Sequence, residues 1–125
     1  MKFIDTHAHV NFRNFKDDAD KVIARALDND TGMVLVGAEY RTSRRALEYV
    51  NKYERGVYAA VGLHPLHLEK IEADEGEEGG FETRGETFVY DNYEKLANFE
   101  KVVAIGEIGL DYYHIKISSR AEEIK

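Results

Sequence analysis

The sequence of 125 residues contains no cysteine. This absence excludes disulfide bonds, thiolate metal sites and cysteine nucleophiles, so a metal ion would need histidine and carboxylate ligands. The sequence also lacks any run of about 18 uncharged apolar residues, the length that a membrane-spanning helix requires. Residues 1–5 (MKFID) lack the long apolar region of a signal peptide. We therefore expect a soluble, cytoplasmic protein.

Positive charges are outnumbered, with 17 Lys and Arg against 24 Asp and Glu. This balance argues against a nucleic-acid partner, because phosphate binding depends largely on Lys and Arg. The distribution of charge weakens that argument. Residues 69–86 carry eight of the acidic residues and only two basic ones, a local balance of −6 that leaves −1 of the total −7 for the rest of the chain. We expect this Glu- and Gly-rich segment to be an exposed insertion, most simply a solvated loop.

The chain alternates short apolar runs with amphipathic segments. Four runs are predicted as strands, at 3–4, 33–36, 57–61 and 102–105. The last three are predicted to be fully buried, since continuous Val, Ile and Ala runs suit a parallel sheet that is covered on its faces. This order predicts an α/β fold with a parallel sheet of about four strands and intervening helices. A chain of this length can form at most one domain, which would span residues 1–125.

Three helices are predicted between these strands. Apolar residues at helical spacing predict a helix over 18–28, and a similar stripe predicts another over 42–53, with Thr42 or Ser43 as its N-cap. A shorter third helix is expected to begin at Asp91, which has Glu94 three residues later.

Near the end of the sequence, Ser119 and Glu122 have the spacing of a capping box. This spacing predicts that a helix begins there, with room for little more than one turn. An isolated helix needs about 12 residues or more to be even marginally stable in water. We therefore expect a chain that stops within an element.

Histidines and a carboxylate follow three of the predicted strands. His7 and His9 come directly after the first strand. In extended backbone residues two apart point to the same face, so both imidazoles can approach one ion. His64 follows the third strand and Glu107 the fourth. The carboxyl ends of parallel strands share one edge, which is where α/β folds bind ligands. Each residue alone has a simpler explanation, such as an exposed loop histidine or a structural one, so the prediction of a site depends on their convergence.

Other polar and aromatic residues near this edge are open to two interpretations. The aromatic side chains could stack nucleic-acid bases or simply close over the end of the sheet; they are Phe12, Phe15, Tyr40, Tyr112 and Tyr113. Arg41, Arg44 and Arg45 could bind phosphate or form a solvated helix start. His67 and His114 are predicted to be surface residues without a role.

Three segments together resemble the TatD-type deoxyribonuclease family: IDTHAH at 4–9, VGLHP at 61–65 and AIGEIGLDY at 104–112. The third segment is the most specific. The resemblance covers nearly the whole chain apart from the acidic insertion. It implies a (β/α) barrel of the TIM type, related in architecture to the amidohydrolases, of which this chain would form the N-terminal half. It also implies hydrolysis of DNA phosphodiesters, commonly from the 3′ end.

The resemblance implies roles for six residues. His7 and His9 are similar to ligands of one divalent ion, and Glu107 to a catalytic carboxylate that bridges to a second ion. His64, Asp111 and Asp5 are expected to line the substrate pocket or to support the ligands. The cofactors implied are two divalent ions, Mg, Mn or Zn, and the partner implied is DNA, as a single strand or a 3′ end.

The family's later ligands, two histidines and an aspartate, have no counterpart in this sequence. The resemblance therefore implies an incomplete ligand set and impaired activity for this chain. Two alternatives stay open: a noncatalytic or metal-binding half-barrel, and another metal-dependent enzyme of the amidohydrolase type.

Overall fold

A computed structural model describes residues 1–68 and 85–112, in which strands and helices alternate as predicted. The elements are β1 (Phe3–Ala8), α1 (Ala19–Asp28), β2 (Thr31–Val36), α2 (Tyr40–Val50), β3 (Val57–Val61), α3 (Tyr90–Ala97) and β4 (Val102–Ile105). Short 3-10 turns lie at Arg13–Phe15 and Pro65–Leu68. Among the described helices, none has the length and apolar character needed to cross a bilayer.

The four strands form one sheet in the order β1-β2-β3-β4, and every neighbouring pair is parallel. This confirms the predicted α/β class. Because the strands are parallel and adjacent in chain order, their carboxyl ends lie along one edge of the sheet. The residues that follow β1, β3 and β4 are therefore brought to the same side of the molecule.

The main core lies between the sheet and helices α1, α2 and α3. Its fully buried side chains include Ile23 of α1, Leu35 of β2, Val50 of α2, and Val57 and Val61 of β3. Each buried Val, Leu or Ile side chain contributes about 1.5–3 kcal/mol relative to an exposed one. The predicted stripes of apolar residues on the first two helices thus face the sheet.

Helix α2 begins at Tyr40 with Glu39 as its N-cap, so the prediction of Thr42 or Ser43 as the cap was wrong. The Thr42 hydroxyl instead accepts hydrogen bonds from the backbone N–H groups of Ala38 (2.9 Å) and Glu39 (3.0 Å). Thr42 therefore stabilises the start of the helix from its first turn, as the third helical residue of a capping box does.

Helix α3 begins at Tyr90 after the N-cap Val89, one residue before the predicted start at Asp91. Asp91 lies in the first turn, where a negative charge interacts favourably with the positive end of the helix dipole.

Strand β4 is largely exposed, with Val103 at 56% and Ile105 at 59% exposure, so the prediction that it is fully buried was wrong. Among the described residues, β4 pairs only with β3, and β1 pairs only with β2. Both are therefore edge strands of the described sheet, and a run of apolar residues alone does not reveal whether a strand has one neighbour or two.

Several predictions fall on residues that the structure does not describe. These are residues 69–84 of the acidic insertion, the capping box of Ser119 and Glu122, His114 and Tyr113. They stay predictions.

The ends of β3 and β4 approach each other closely at Gly62. The Gly106 N–H donates to the Val61 carbonyl (3.0 Å), and the Glu107 N–H donates to the Gly37 carbonyl (2.9 Å). A Cβ atom at Gly62 would lie 2.6 Å from the Gly106 carbonyl carbon and 2.8 Å from the Glu107 carbonyl oxygen. Position 62 therefore requires glycine, because the peptide that carries Glu107 occupies the space of a side chain.

We expect Gly62→Ala to displace the Gly106–Glu107 peptide and to lower the free energy of unfolding by about 1–3 kcal/mol, the usual range for overpacking. Denaturant unfolding measures this change. Gly106→Ala is the matched control, since a Cβ atom there meets no atom within 4 Å. Equal stability of the Gly62→Ala and Gly106→Ala variants would contradict the close approach.

Candidate metal centre

Two histidine side chains meet at the end of β1. The Nε2 atoms of His7 and His9 lie 3.2 Å apart, and the two rings contact each other edge to face. The Asp5 carboxylate accepts a hydrogen bond from the His7 backbone N–H (3.0 Å). Asp5 therefore restrains the backbone of a candidate ligand and does not itself join the ligand group.

Glu107 faces both histidines from the end of β4. Its Oε1 atom lies 3.5 Å from His7 Nε2, and its Oε2 atom lies 3.6 Å from His9 Nε2. The hydrogen bond from the Glu107 N–H to the Gly37 carbonyl, just after β2, fixes the backbone at this position. The first and last strands of the sheet thus contribute to a single cluster.

A contact with β2 sets the orientation of the His9 ring. His9 Nδ1 lies 3.2 Å from the Val36 carbonyl oxygen. A carbonyl oxygen only accepts hydrogen bonds, so in the neutral ring Nδ1 carries the proton and Nε2 keeps its lone pair. That lone pair faces the cluster, as a metal ligand requires.

The dimensions of the cluster fit a divalent ion. One ligand atom from each of His7, His9 and Glu107 lies within 4.8 Å of the others. Among the residues that the structure describes, no other three His, Asp or Glu side chains come together in this way. An ion bound at about 2.0–2.1 Å to two imidazole nitrogens holds them roughly 2.9–3.4 Å apart, from octahedral to tetrahedral geometry. The observed 3.2 Å falls in this range. Two imidazoles and a carboxylate also form the protein ligand set of known catalytic zinc sites.

The cluster is accessible from solvent. The side chains of His7, His9 and Glu107 are 53%, 35% and 29% exposed. A substrate can therefore reach an ion at this position without opening the core.

The predicted residue His64 does not join the described three-ligand group. The backbone N–H of His64 donates to the Ala38 carbonyl (2.8 Å), and its ring Nδ1 atom accepts a hydrogen bond from the Leu66 backbone N–H (3.1 Å). The proton of the neutral ring is therefore on Nε2, which makes His64 a hydrogen-bond donor at its free end. Asp111 is partly buried close to the end of the second described segment.

The aromatic residues have different surroundings. Phe12 packs against the His9 ring, with centroids 4.4 Å apart. Phe15 and Tyr40 pack against the core cluster, whereas Tyr112 is 70% exposed.

A second polar cluster follows β2 and was not anticipated from the sequence. Glu39 is almost fully buried and pairs with Arg41, at 3.1 Å between Oε1 and the guanidinium. His67 lies beside Glu39, with Nδ1 3.9 Å from Oε2, and burial lowers the pKa of His67. The prediction that His67 is a surface residue was wrong, because its side chain is only 20% exposed.

The remaining members of this cluster are Glu86 and Tyr93. The Tyr93 hydroxyl donates to Glu86 (2.6 Å), and burial together with this carboxylate raises the pKa of Tyr93. The other Glu86 oxygen accepts a hydrogen bond from the Tyr40 N–H (2.9 Å). These bonds attach Glu86, in the segment that leads into α3, to the start of α2 and to α3. No local sequence pattern indicates contacts between such distant positions.

The curated relatives of this chain include metal-dependent hydrolases. The chain is 36% identical over 110 residues to YabD of Bacillus subtilis, described as an uncharacterized metal-dependent hydrolase. That match covers 87% of this chain and 37% of YabD. This chain is also 29% identical over 109 residues to the 3′-5′ ssDNA/RNA exonuclease TatD of Pantoea ananatis. That second match covers 86% of this chain and 36% of the Pantoea protein. The chain thus spans less than two fifths of the length of these relatives.

The fold matches a solved structure of the same group. The crystal structure of YjjV, a TatD homologue from Escherichia coli, superposes with a TM-score of 0.65 and 27% sequence identity. The superposition covers 98% of this chain and 42% of YjjV. The four parallel strands and their helices are therefore a partial (β/α) barrel.

The family model of the TatD-related DNases matches residues 4–125, nearly the entire chain. With the metal-dependent hydrolases among its relatives, the chain belongs to the TatD-related DNase family.

Proposed function

We propose that this chain carries part of the metal centre of a 3′-5′ exonuclease, which hydrolyses phosphodiester bonds in single-stranded DNA. His7, His9 and Glu107 are the proposed metal ligands. The observation that supports the proposal most directly is the meeting of these three side chains, from the two edge strands, at distances suited to one divalent ion.

Each proposed ligand is held by a different part of the fold. Asp5 holds the backbone of His7, and the Val36 carbonyl orients the His9 ring so that Nε2 is available. Glu107 directs one oxygen toward each histidine. A divalent ion bound there would lower the pKa of a water molecule and neutralise charge that develops on the phosphoryl oxygens.

The substrate class is proposed from two considerations. Relatives from several bacteria are named 3′-5′ ssDNA/RNA exonucleases. The negative charge of the chain is concentrated in residues 69–86, so the strand ends are not part of a uniformly acidic surface that would repel phosphate. We further propose that His64 donates a hydrogen bond from Nε2 to the substrate, and that Asp111 supports the ligands.

A second divalent ion, bridged by Glu107, is also part of the proposal. The described residues hold one three-ligand group, so further ligands for a second ion would have to come from elsewhere. We therefore propose that the 125-residue chain hydrolyses DNA more slowly than its longer relatives do.

We expect the chain to bind one Mn²⁺ ion, measured by isothermal titration calorimetry. His9→Ala removes a proposed ligand. Loss of a residue that only supports a ligand can lower metal affinity by up to roughly a hundredfold. The Mn²⁺ affinity of His9→Ala should therefore fall by more than this factor. His67→Gln is the matched control, because it also removes an imidazole but one that is outside the three-ligand group. Equal affinities of the unaltered chain and His9→Ala would contradict the proposed site.

We expect single-stranded DNA labelled at its 5′ end to shorten from the 3′ end in the presence of Mn²⁺, as resolved on a denaturing gel. Glu107→Gln keeps the size of the side chain but removes its charge, and the rate should fall to background. Glu48→Gln, on the exposed face of α2, is the control and should retain the full rate. Hydrolysis that persists in Glu107→Gln would contradict the assignment.

We expect His64→Ala to separate substrate binding from metal binding. The Mn²⁺ affinity should stay within about twofold, since His64 is not a proposed ligand, while the cleavage rate should fall at least about tenfold with loss of one hydrogen bond to a charged group. Parallel calorimetry and gel assays measure both quantities. A loss of Mn²⁺ affinity in this variant would instead make His64 a ligand.

A further inference from the structure

The ring of His9 is confined on three sides. Its Nδ1 atom faces the Val36 carbonyl at 3.2 Å, its face packs against Phe12 with centroids 4.4 Å apart and planes tilted by 41°, and its other neighbour is the His7 ring at 4.9 Å. These contacts leave the imidazole little freedom to rotate. The direction of Nε2 is therefore set by its neighbours as well as by the strand.

The backbone holds Phe12 in this position. The Phe12 N–H donates to the His9 carbonyl (2.9 Å), which closes a tight turn directly after β1. The next bond in the series, from the Phe15 N–H to the Phe12 carbonyl (3.0 Å), continues into the short 3-10 turn. The turn folds the phenyl ring back over the imidazole.

Asn11 anchors the same turn from within the core. Its side chain is fully buried, and Nδ2 donates to the carbonyl oxygens of Val36 (3.0 Å) and Thr42 (3.0 Å). The Val36 oxygen is thus shared between Asn11 and His9. One amide ties the turn after β1 to the end of β2 and to α2.

The amide oxygen of Asn11 indicates how important the two hydrogen bonds donated by Nδ2 are. Its Oδ1 atom is buried without a hydrogen-bond partner among the described residues. A buried acceptor without a partner is unfavourable. The two bonds that Nδ2 donates must therefore outweigh this cost, and one of them goes to the carbonyl that orients His9.

We propose that Phe12 and Asn11 are positioning residues for His9: together with the Val36 carbonyl they form a seat that fixes the imidazole with Nε2 toward the metal site. The inference rests on the proposed metal centre. Neither residue is a ligand, and both act through the ring they hold. Loss of the seat lets the ring rotate, which separates Nδ1 from Val36 and turns Nε2 away from Glu107.

The first test compares Mn²⁺ affinities of the full chain by calorimetry. Phe12→Leu should bind Mn²⁺ about tenfold more weakly, the lower end of the effect of residues that support metal ligands. Phe12→Tyr keeps the aromatic face and should restore the affinity of the unaltered chain. Phe15→Leu is the matched control: it removes an equivalent ring three residues away, one that packs against the core. It should lower the melting temperature but leave the Mn²⁺ affinity unchanged.

The second test observes the ring without metal. In nitrogen-15 spectra of the metal-free chain at about pH 8, above the usual histidine pKa, His9 should show a single tautomer protonated on Nδ1. Phe12→Leu and Asn11→Ser should both show a mixture of the two tautomers, and Phe15→Leu should not. Melting curves establish that each variant is folded before its spectrum is compared.

The outcomes separate this inference from the proposed function. If the unaltered chain binds Mn²⁺ and Phe12→Leu binds it equally well, the seat is overturned while the metal centre stands. If Phe12→Leu and Phe15→Leu weaken binding equally, the effect is general destabilisation, and the seat is again overturned. If the unaltered chain does not bind Mn²⁺, the proposed function fails. A single His9 tautomer that depends on Phe12 would in that case show only that the seat orders the ring.

Discussion

The site depends on the close approach of backbone segments at the carboxyl edge of the sheet. The Glu107 N–H bonds to the Gly37 carbonyl after β2, and Gly62 at the end of β3 leaves room for the peptide before Glu107. These contacts bring a carboxylate from one edge strand to within 3.5–3.6 Å of two imidazoles from the other. Without this approach the Glu107 carboxylate would lie apart from the two imidazoles, and the proposed metal site would lose one of its three ligands.

The fold could be predicted where the determining interactions are local. Alternation of apolar runs with amphipathic segments is sufficient to identify the strands and helices. The exposure of β4 could not be predicted, because it depends on which strands become neighbours. The starts of α2 and α3 were misplaced by one or two residues for a related reason: Thr42 has the side chain of an N-cap but acts from within the first turn. Helix boundaries depend on which of several capable side chains the backbone geometry selects.

The convergence of His7, His9 and Glu107 was predictable from one rule, that parallel strands deliver their final residues to one edge. Their roles as ligands were implied by the resemblance to the family. The supporting contacts of this group were not predictable. The Val36 carbonyl is a backbone atom with no signature in the sequence, and Asn11 reads as an ordinary loop residue although it is fully buried. His67 was misjudged because its burial beside Glu39 arises from contacts between residues far apart in the chain. Sequence patterns thus identify ligands more readily than the residues that orient them.

The most direct measurement of the central claim is anomalous diffraction from crystals of the chain grown with Mn²⁺. We expect an anomalous peak within coordination distance of His7 Nε2, His9 Nε2 and a Glu107 carboxylate oxygen, with His9 Nδ1 still bonded to Val36. A peak bound elsewhere, or imidazoles of His7 and His9 turned away from Glu107 with no ion between them, would contradict this claim.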